Sequence, residues 1–128
     1  MPLTARGFAQ GVQFISFNPN AVYDESHWKR LAKTDDTLVL YMASKNLELF
    51  LTQMLGYGAD PHCPIAVIEQ ATTLHQQFHA SSLGSAHTEL LGKSYSSPSL
   101  VVVGKVIDLH KRFAWFEPKE KGSVFLSL

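Results

Sequence analysis

The sequence has 128 residues, 45% of them hydrophobic, which suits one domain built around one core. Its 11 basic and 11 acidic residues cancel and are spread along the chain. That excludes the electrostatic footprint selected by nucleic acid or an anionic membrane surface. Cys63 is the only cysteine, so no intrachain disulfide forms and the composition suits a reducing compartment. No apolar run approaches the ~20 residues that span a bilayer, and Met1-Pro2-Leu3-Thr4 has no leader-like apolar stretch behind it. A cytoplasmic protein is the expectation.

Val12 to Phe17 is rich in β-branched and aromatic residues and is followed by the turn Asn18-Pro19-Asn20, which predicts a first strand. Asp24-Glu25-Ser26 then precedes a short helix from His27 to Lys33, with Trp28, Leu31 and Ala32 at helical spacing. Thr37 to Met42 is a continuous apolar run of strand length, the pattern of a strand covered on both faces. Ser44 stands as the cap of a helix whose stripe is Leu47, Phe50, Leu51, Met54 and Leu55, ending near Gly56 or Gly58. Pro64 to Ile68 follows as another apolar strand, and the right-handed crossover rule makes it a parallel neighbour of the 37–42 strand.

Gln76 to Ser81 reads as a short edge strand, Leu83 to Leu91 as a helix interrupted by Gly84, and Leu100 to Ile107 as the clearest strand of the chain. Asp108 to Phe116 reads as a last helix, and the aromatics Phe113, Trp115 and Phe116 read as core. Repeated β-then-α order predicts an α/β fold with a mixed, mostly parallel sheet flanked by helices. Ligands of such sheets gather beyond the carboxyl ends of the strands. Here that means Met42-Ala43-Ser44, Glu69 to Thr72, and Gly104 to Val106.

No catalytic side chain stands out. His75 and His79 are four apart but lie in a loop-and-strand context without a metalloprotease pattern, and His62-Cys63 has no second ligand pair at zinc spacing. No metal site is expected. There is no nucleophile elbow, and Gly11, Gly56, Gly58 and Gly104 form no phosphate-cradling loop.

Taken in order, Pro2 to Arg6 with Ala9-Gln10, Thr37 to Met42, Pro64 to Glu69 with Thr72-Thr73, and Ser97 to Val106 with Ala114-Trp115-Phe116 carry a family likeness. The set resembles the second lobe of uroporphyrinogen-III C-methyltransferases, including the methylase part of sirohaem synthase. The likeness covers residues 1–118 and leaves the tail 119–128 unassigned. It implies a C-terminal α/β lobe that binds S-adenosyl-L-methionine in a cleft shared with an N-terminal lobe absent from this sequence, so the isolated chain is expected to be inactive.

By the same resemblance Met42, Ala71 and Thr72 contact the methyl donor. Arg6 faces the acidic tetrapyrrole, since a guanidinium pairs bidentately with carboxylates. The substrate implied is uroporphyrinogen III, methylated to precorrin-2 on the way to sirohaem or cobalamin, in a homodimer. The Pro-Leu-Thr and Ala-Trp-Phe segments favour this over a precorrin methylase or diphthine synthase. The alternative is a stand-alone binding or dimerisation module derived from the same fold. Three departures from the family pattern stand out: Ala5 for histidine, Gln70-Ala71 for Asn-Gly, and Gln77 for the arginine after Gln76. If the glycine position needs positive φ, the β-carbon of Ala71 adds roughly 1–2 kcal/mol of strain.

Overall fold

The computed structural model describes residues 1–113. The run Thr37 to Tyr41 forms β2, buried from Thr37 to Leu40, as an apolar run covered on both faces requires. It pairs in parallel with β1, Val12–Ser16. On its other side it pairs not with β3, Pro64–Glu69, but with β5, Ser99–Val103, which runs antiparallel to both. β4, Gln77–Ser82, closes the far edge against β3. The strand order is therefore β1-β2-β5-β3-β4.

The sheet is mixed and flanked by helices, as expected, but the balance of pairings differs from the expectation. One junction is parallel and three are antiparallel, although β1, β2 and β3 all run the same way. The crossover rule correctly gives β3 the direction of β2. It does not fix adjacency, and the Leu-Val-Val-Val run of β5 occupies the place between them that demands apolar side chains on both faces.

One face of the sheet, with Leu38, Leu40, Ile65, Val67, Val101 and Val103, packs under the helices. Helix α1, Glu25–Lys33, starts two residues earlier than expected because the Asp24 carboxylate accepts the His27 N–H at 2.7 Å, satisfying an orphan donor of the first turn. Helix α2, Leu47–Gly56, buries Leu47, Phe50, Leu51 and Met54 of the stripe read from the sequence, and Leu55, its fifth member, is partly buried against the same core. Its expected cap does other work. A 3-10 turn, Ser44–Asn46, precedes the helix, and the Ser44 hydroxyl pairs with that of Ser99 at 2.7 Å. Phe17, at the end of β1, is edge-on to Trp28 and Phe50 at 6.3 and 5.9 Å and joins both helices to the sheet.

Two other expected elements are shorter. Of residues 83–91 only Ala86–Glu89 is helical, forming α3, because Gly84 donates to the Pro61 carbonyl at 2.8 Å and belongs to a turn. β5 ends at Val103, since Gly104 adopts φ 147° and ψ 166°, and a 3-10 turn, Lys105–Leu109, replaces the start of the helix expected from Asp108. The remainder of that helix, with Trp115 and Phe116, and the 119–128 tail lie outside the described residues. The opposite face, built on Val39, Ala66 and Val102, is covered by Ile107 and partly by Met1 and Leu3. A hydrogen bond of 2.7 Å from the Thr37 hydroxyl to the Leu3 carbonyl holds the N-terminal segment there.

The segment leading into β5 is pinned by a buried acid. Glu69, 8% exposed, accepts the Ser96 N–H at 2.6 Å with one oxygen, and its other oxygen lies 2.6 Å from His79 Nε2. The next residue, Gln70, donates its N–H to the Pro98 carbonyl at 2.6 Å. Three bonds thus tie residues 96–98 and β4 to the carboxyl end of β3. Glu69→Ala, which strands the Ser96 amide and the His79 ring, is expected to destabilise the chain by about 1–3 kcal/mol. Urea denaturation measures the loss, and hydrogen exchange should quicken at Ser96 while the centre of β2 stays protected. Gly104→Ala is expected to cost about 1–3 kcal/mol, because that backbone conformation is nearly closed to residues with a β-carbon. An unchanged urea midpoint would contradict the assignment.

Candidate functional site

Two of the three segments expected at the ligand end of the sheet meet there. Met42-Ala43-Ser44 leaves β2 and Gln70-Ala71-Thr72 leaves β3, strands that run in the same direction. The third, Gly104 to Val106, lies at the opposite end because β5 is antiparallel. Its place is taken by the start of β5, where Leu100 pairs with Tyr41 and Ser99 with Glu69.

Backbone strain concentrates at this end. Among the described residues the non-glycine positions with positive φ are Met42 at 59°, Gln70 at 49° and Thr72 at 65°. Left-handed geometry at such residues costs on the order of 1–2 kcal/mol each and persists only where surrounding structure imposes it, as at ligand clamps. Ala71 is not among them, so the strain expected from a β-carbon at that position is absent there and falls on its two neighbours. The Thr73 hydroxyl donates to the Gln70 carbonyl at 2.7 Å, the Thr72 N–H to Gln76 Oε1 at 2.7 Å, and the Thr72 hydroxyl to the Ala71 carbonyl at 2.6 Å. This loop holds its shape through its own groups.

The expected donor-binding residues face two clefts rather than one. Met42 lines a cleft of about 890 Å³ together with Phe17, Pro19, Lys45 and Ser97 to Ser99, a volume in the range of small-molecule sites. Ala71 and Thr72 line a smaller one of about 260 Å³ on the open sheet face, with Phe14, Phe78, His110 and Phe113. Tyr41 lines both. Arg6 is brought to neither. It is exposed on a tight turn closed by bonds between Ala5 and Ala9.

His110 stacks flat on Phe78, with ring centroids 3.6 Å apart. Burial, then the N-terminal ammonium and Lys111, lower its pKa and favour the neutral ring. His79, one of the pair weighed as a metal ligand, is engaged with Glu69. No group of three or more His, Cys, Asp or Glu among the described residues could hold a metal ion. Burial, reinforced by Asp60, pushes the Cys63 thiol up and away from the nucleophilic thiolate.

Sequence reasoning missed Tyr41, Lys45 and the Ser97 to Ser99 lip. A lysine four residues beyond the end of β2 was a usable signal for Lys45. The lip was hidden because nothing in the sequence gave the direction of β5. The arrangement offers a mostly neutral cleft with a thioether and aromatic wall, hydroxyl and amide groups, and strained backbone at its edge. It is suited to holding a small ligand by main-chain and van der Waals contacts rather than to acid–base chemistry.

No helix among the described residues is long and apolar enough to cross a membrane. Residues 1–87 match the family model for tetrapyrrole (corrin/porphyrin) methylases. A siroheme synthase of Thioalkalivibrio sulfidiphilus is 33% identical over 92% of this chain and 24% of its own length. Siroheme synthase 2 of Aeromonas salmonicida is 38% identical over 93% of this chain and 24% of its own. The chain therefore spans about a quarter of the length of these relatives. Among solved structures, uroporphyrin-III C-methyl transferase from Thermus thermophilus complexed with S-adenyl homocysteine superposes with a TM-score of 0.69 at 25% identity, over 84% of this chain and 48% of the other. The cobalt precorrin-4 methyltransferase shares the fold, with a TM-score of 0.67 at 16% identity, over 80% of this chain and 44% of the other. On these matches and this sheet, the chain belongs to the tetrapyrrole methylase family.

Proposed function

We propose that residues 1–118 form the C-terminal lobe of a methyltransferase that moves a methyl group from S-adenosyl-L-methionine to a carbon of uroporphyrinogen III, giving precorrin-2 for sirohaem or cobalamin. The observation that carries this reading is the gathering of three left-handed residues, Met42, Gln70 and Thr72, at the ends of β2 and β3. The family match and the superposition on a methyltransferase that binds S-adenyl homocysteine support it. The 119–128 tail has no assigned part in it.

The residues present fit the methyl donor. Met42, 67% exposed at the cleft edge, offers an apolar thioether, and the backbone around Ala71 and Thr72 is fixed by its own hydrogen bonds. When bound, S-adenosyl-L-methionine supplies an electrophilic methyl on sulfonium sulfur. The part of this chain is to orient donor and acceptor in line and to keep water from between them, which supplies much of the acceleration in such reactions. An electron-rich pyrrole carbon needs no activated nucleophile from the protein, and none lines the cleft among the described residues. Arg6, exposed on the N-terminal turn, meets the tetrapyrrole only where substrate is held from the other side by a second lobe. The isolated chain is accordingly inactive in this reading.

A second reading, a non-catalytic binding or dimerisation module, is favoured by one observation. Phe14, Tyr41 and Phe113 are 61, 45 and 50% exposed around the open sheet face, and apolar patches of that kind promote association. Calorimetric titration of S-adenosylhomocysteine separates the two. Binding is expected when an upstream lobe of a related methylase is added to the purified chain, and not to the chain alone. Met42→Asp is expected to weaken that binding at least tenfold while leaving the circular dichroism unchanged, because it removes the thioether's apolar contact and puts there a carboxylate that must lose water when the ligand covers it. Absence of binding in both titrations would favour the association module, and unaltered affinity of the variant would remove Met42 from the donor site.

A further inference from the structure

Lys45 sits on the 3-10 turn Ser44–Asn46, four residues past the end of β2 and three past the strained Met42, and lines the 890 Å³ cleft. Among the described residues it is the only charged side chain on that lining, whose polar members are neutral: Ser16, Asn18, Ser44, Asn46, Ser97 and Ser99. The ion pairs of the described residues join Lys29 to Glu25 and His79 to Glu69, so the Lys45 ammonium is not spoken for by a carboxylate of the fold. The contrast with the cleft at the other end of the sheet is direct, because that one carries Asp35, Asp36 and Asp60 beside Lys33 and Lys105. In a chain of zero net charge, a single cation on a cleft that carries no acid among the described residues creates a local positive potential.

We propose that Lys45 is a specificity-determining residue that pairs with a carboxylate of an acidic tetrapyrrole bound in this cleft. The inference rests on the functional reading above and adds to it the residue that tells substrate from donor. S-adenosylmethionine carries a sulfonium and an ammonium against one carboxylate, so its net charge is positive and a bare lysine is a poor neighbour for it. Uroporphyrinogen III carries carboxylates on every acetate and propionate arm, and an ammonium on a flexible four-carbon stem follows such a group without demanding one geometry. The Ser44 and Ser99 hydroxyls, already paired at 2.7 Å, flank the same position and add neutral hydrogen-bonding capacity.

The test uses uroporphyrin III, the oxidised analogue of the substrate, titrated at low and high salt into the full chain, alone and with the upstream lobe of a related methylase added. Wild type is compared with Lys45→Gln, Lys45→Arg and, as a control on an exposed loop, Lys93→Gln, with S-adenosylhomocysteine as the second ligand. At low salt Lys45→Gln is expected to weaken porphyrin binding about three- to fivefold, the range of a solvent-exposed ion pair. The difference should shrink at high salt, Lys45→Arg should restore affinity, and S-adenosylhomocysteine binding should not change. Equal porphyrin affinity in wild type and Lys45→Gln would overturn the role of Lys45 and leave the functional reading standing. A loss confined to S-adenosylhomocysteine would place the lysine against the donor and overturn the proposal. If wild type binds no porphyrin under either condition, the reading of this cleft falls and the proposal with it.

Discussion

Everything at the candidate site depends on β5 lying antiparallel between β2 and β3 and pairing with both. Because it runs backwards relative to its neighbours, its first residues arrive where theirs depart. The Ser97 to Ser99 segment is thereby set beside Met42 and Gln70. The bond from Gln70 N–H to the Pro98 carbonyl closes this junction on the β3 side, and the Ser44 to Ser99 hydroxyl pair closes it on the β2 side. The core reinforces the arrangement, since Val101 and Val103 point to the helical face and Val102 to the other. A strand with valine on both faces loses more apolar burial at an edge than in the centre.

That central strand also marks the boundary between what the sequence discloses and what it withholds. The run 37–42, the α2 stripe and the 64–68 run are legible because each is a local pattern, two continuous apolar runs of strand length and one helical period, and each was found with its expected type. The acidic start of α1 was legible too, although Asp24 itself as the cap was not singled out. The direction and place of β5 are set by contacts between residues more than 30 positions apart, such as Val67 with Val101, and no local period encodes them. The Gly104 to Val106 expectation failed for that reason alone. A rule about carboxyl ends is only as good as the strand directions fed into it.

The family resemblance supplied Met42, Ala71 and Thr72, and the geometry redistributes their significance. Sequence comparison draws attention to Ala71 because it replaces a glycine. The backbone places the cost at Gln70 and Thr72, the residues on either side. This is physically reasonable, since the loop needs two left-handed steps to turn away from β3. It secures the first by the Pro98 contact and the second by the Gln76 side chain on the Thr72 amide. Arg6 shows the converse. It matches a family segment, yet it is exposed on the turn closed by the Ala5 to Ala9 bonds and lines neither of the two clefts.

The division of labour between the two clefts follows from the same sheet. Tyr41, the last residue of β2 and exposed, lines both a larger polar-lipped cleft carrying Lys45 and a smaller, more apolar one carrying Phe78 and His110. The stacked, partly buried imidazole is biased toward neutrality by burial and by the Met1 ammonium on the same lining, while Lys45 supplies the charge of the larger cleft. In the proposed reading the donor spans both clefts, meeting Met42 in one and Ala71 and Thr72 in the other, while a negatively charged rim suits the cation of the larger one. The cleft is open to solvent on the side away from the sheet, where nothing in residues 1–113 supplies a second wall. The water exclusion that methyl transfer needs therefore has to come from outside these residues, in the proposed reading from another lobe laid across Met42 and Lys45.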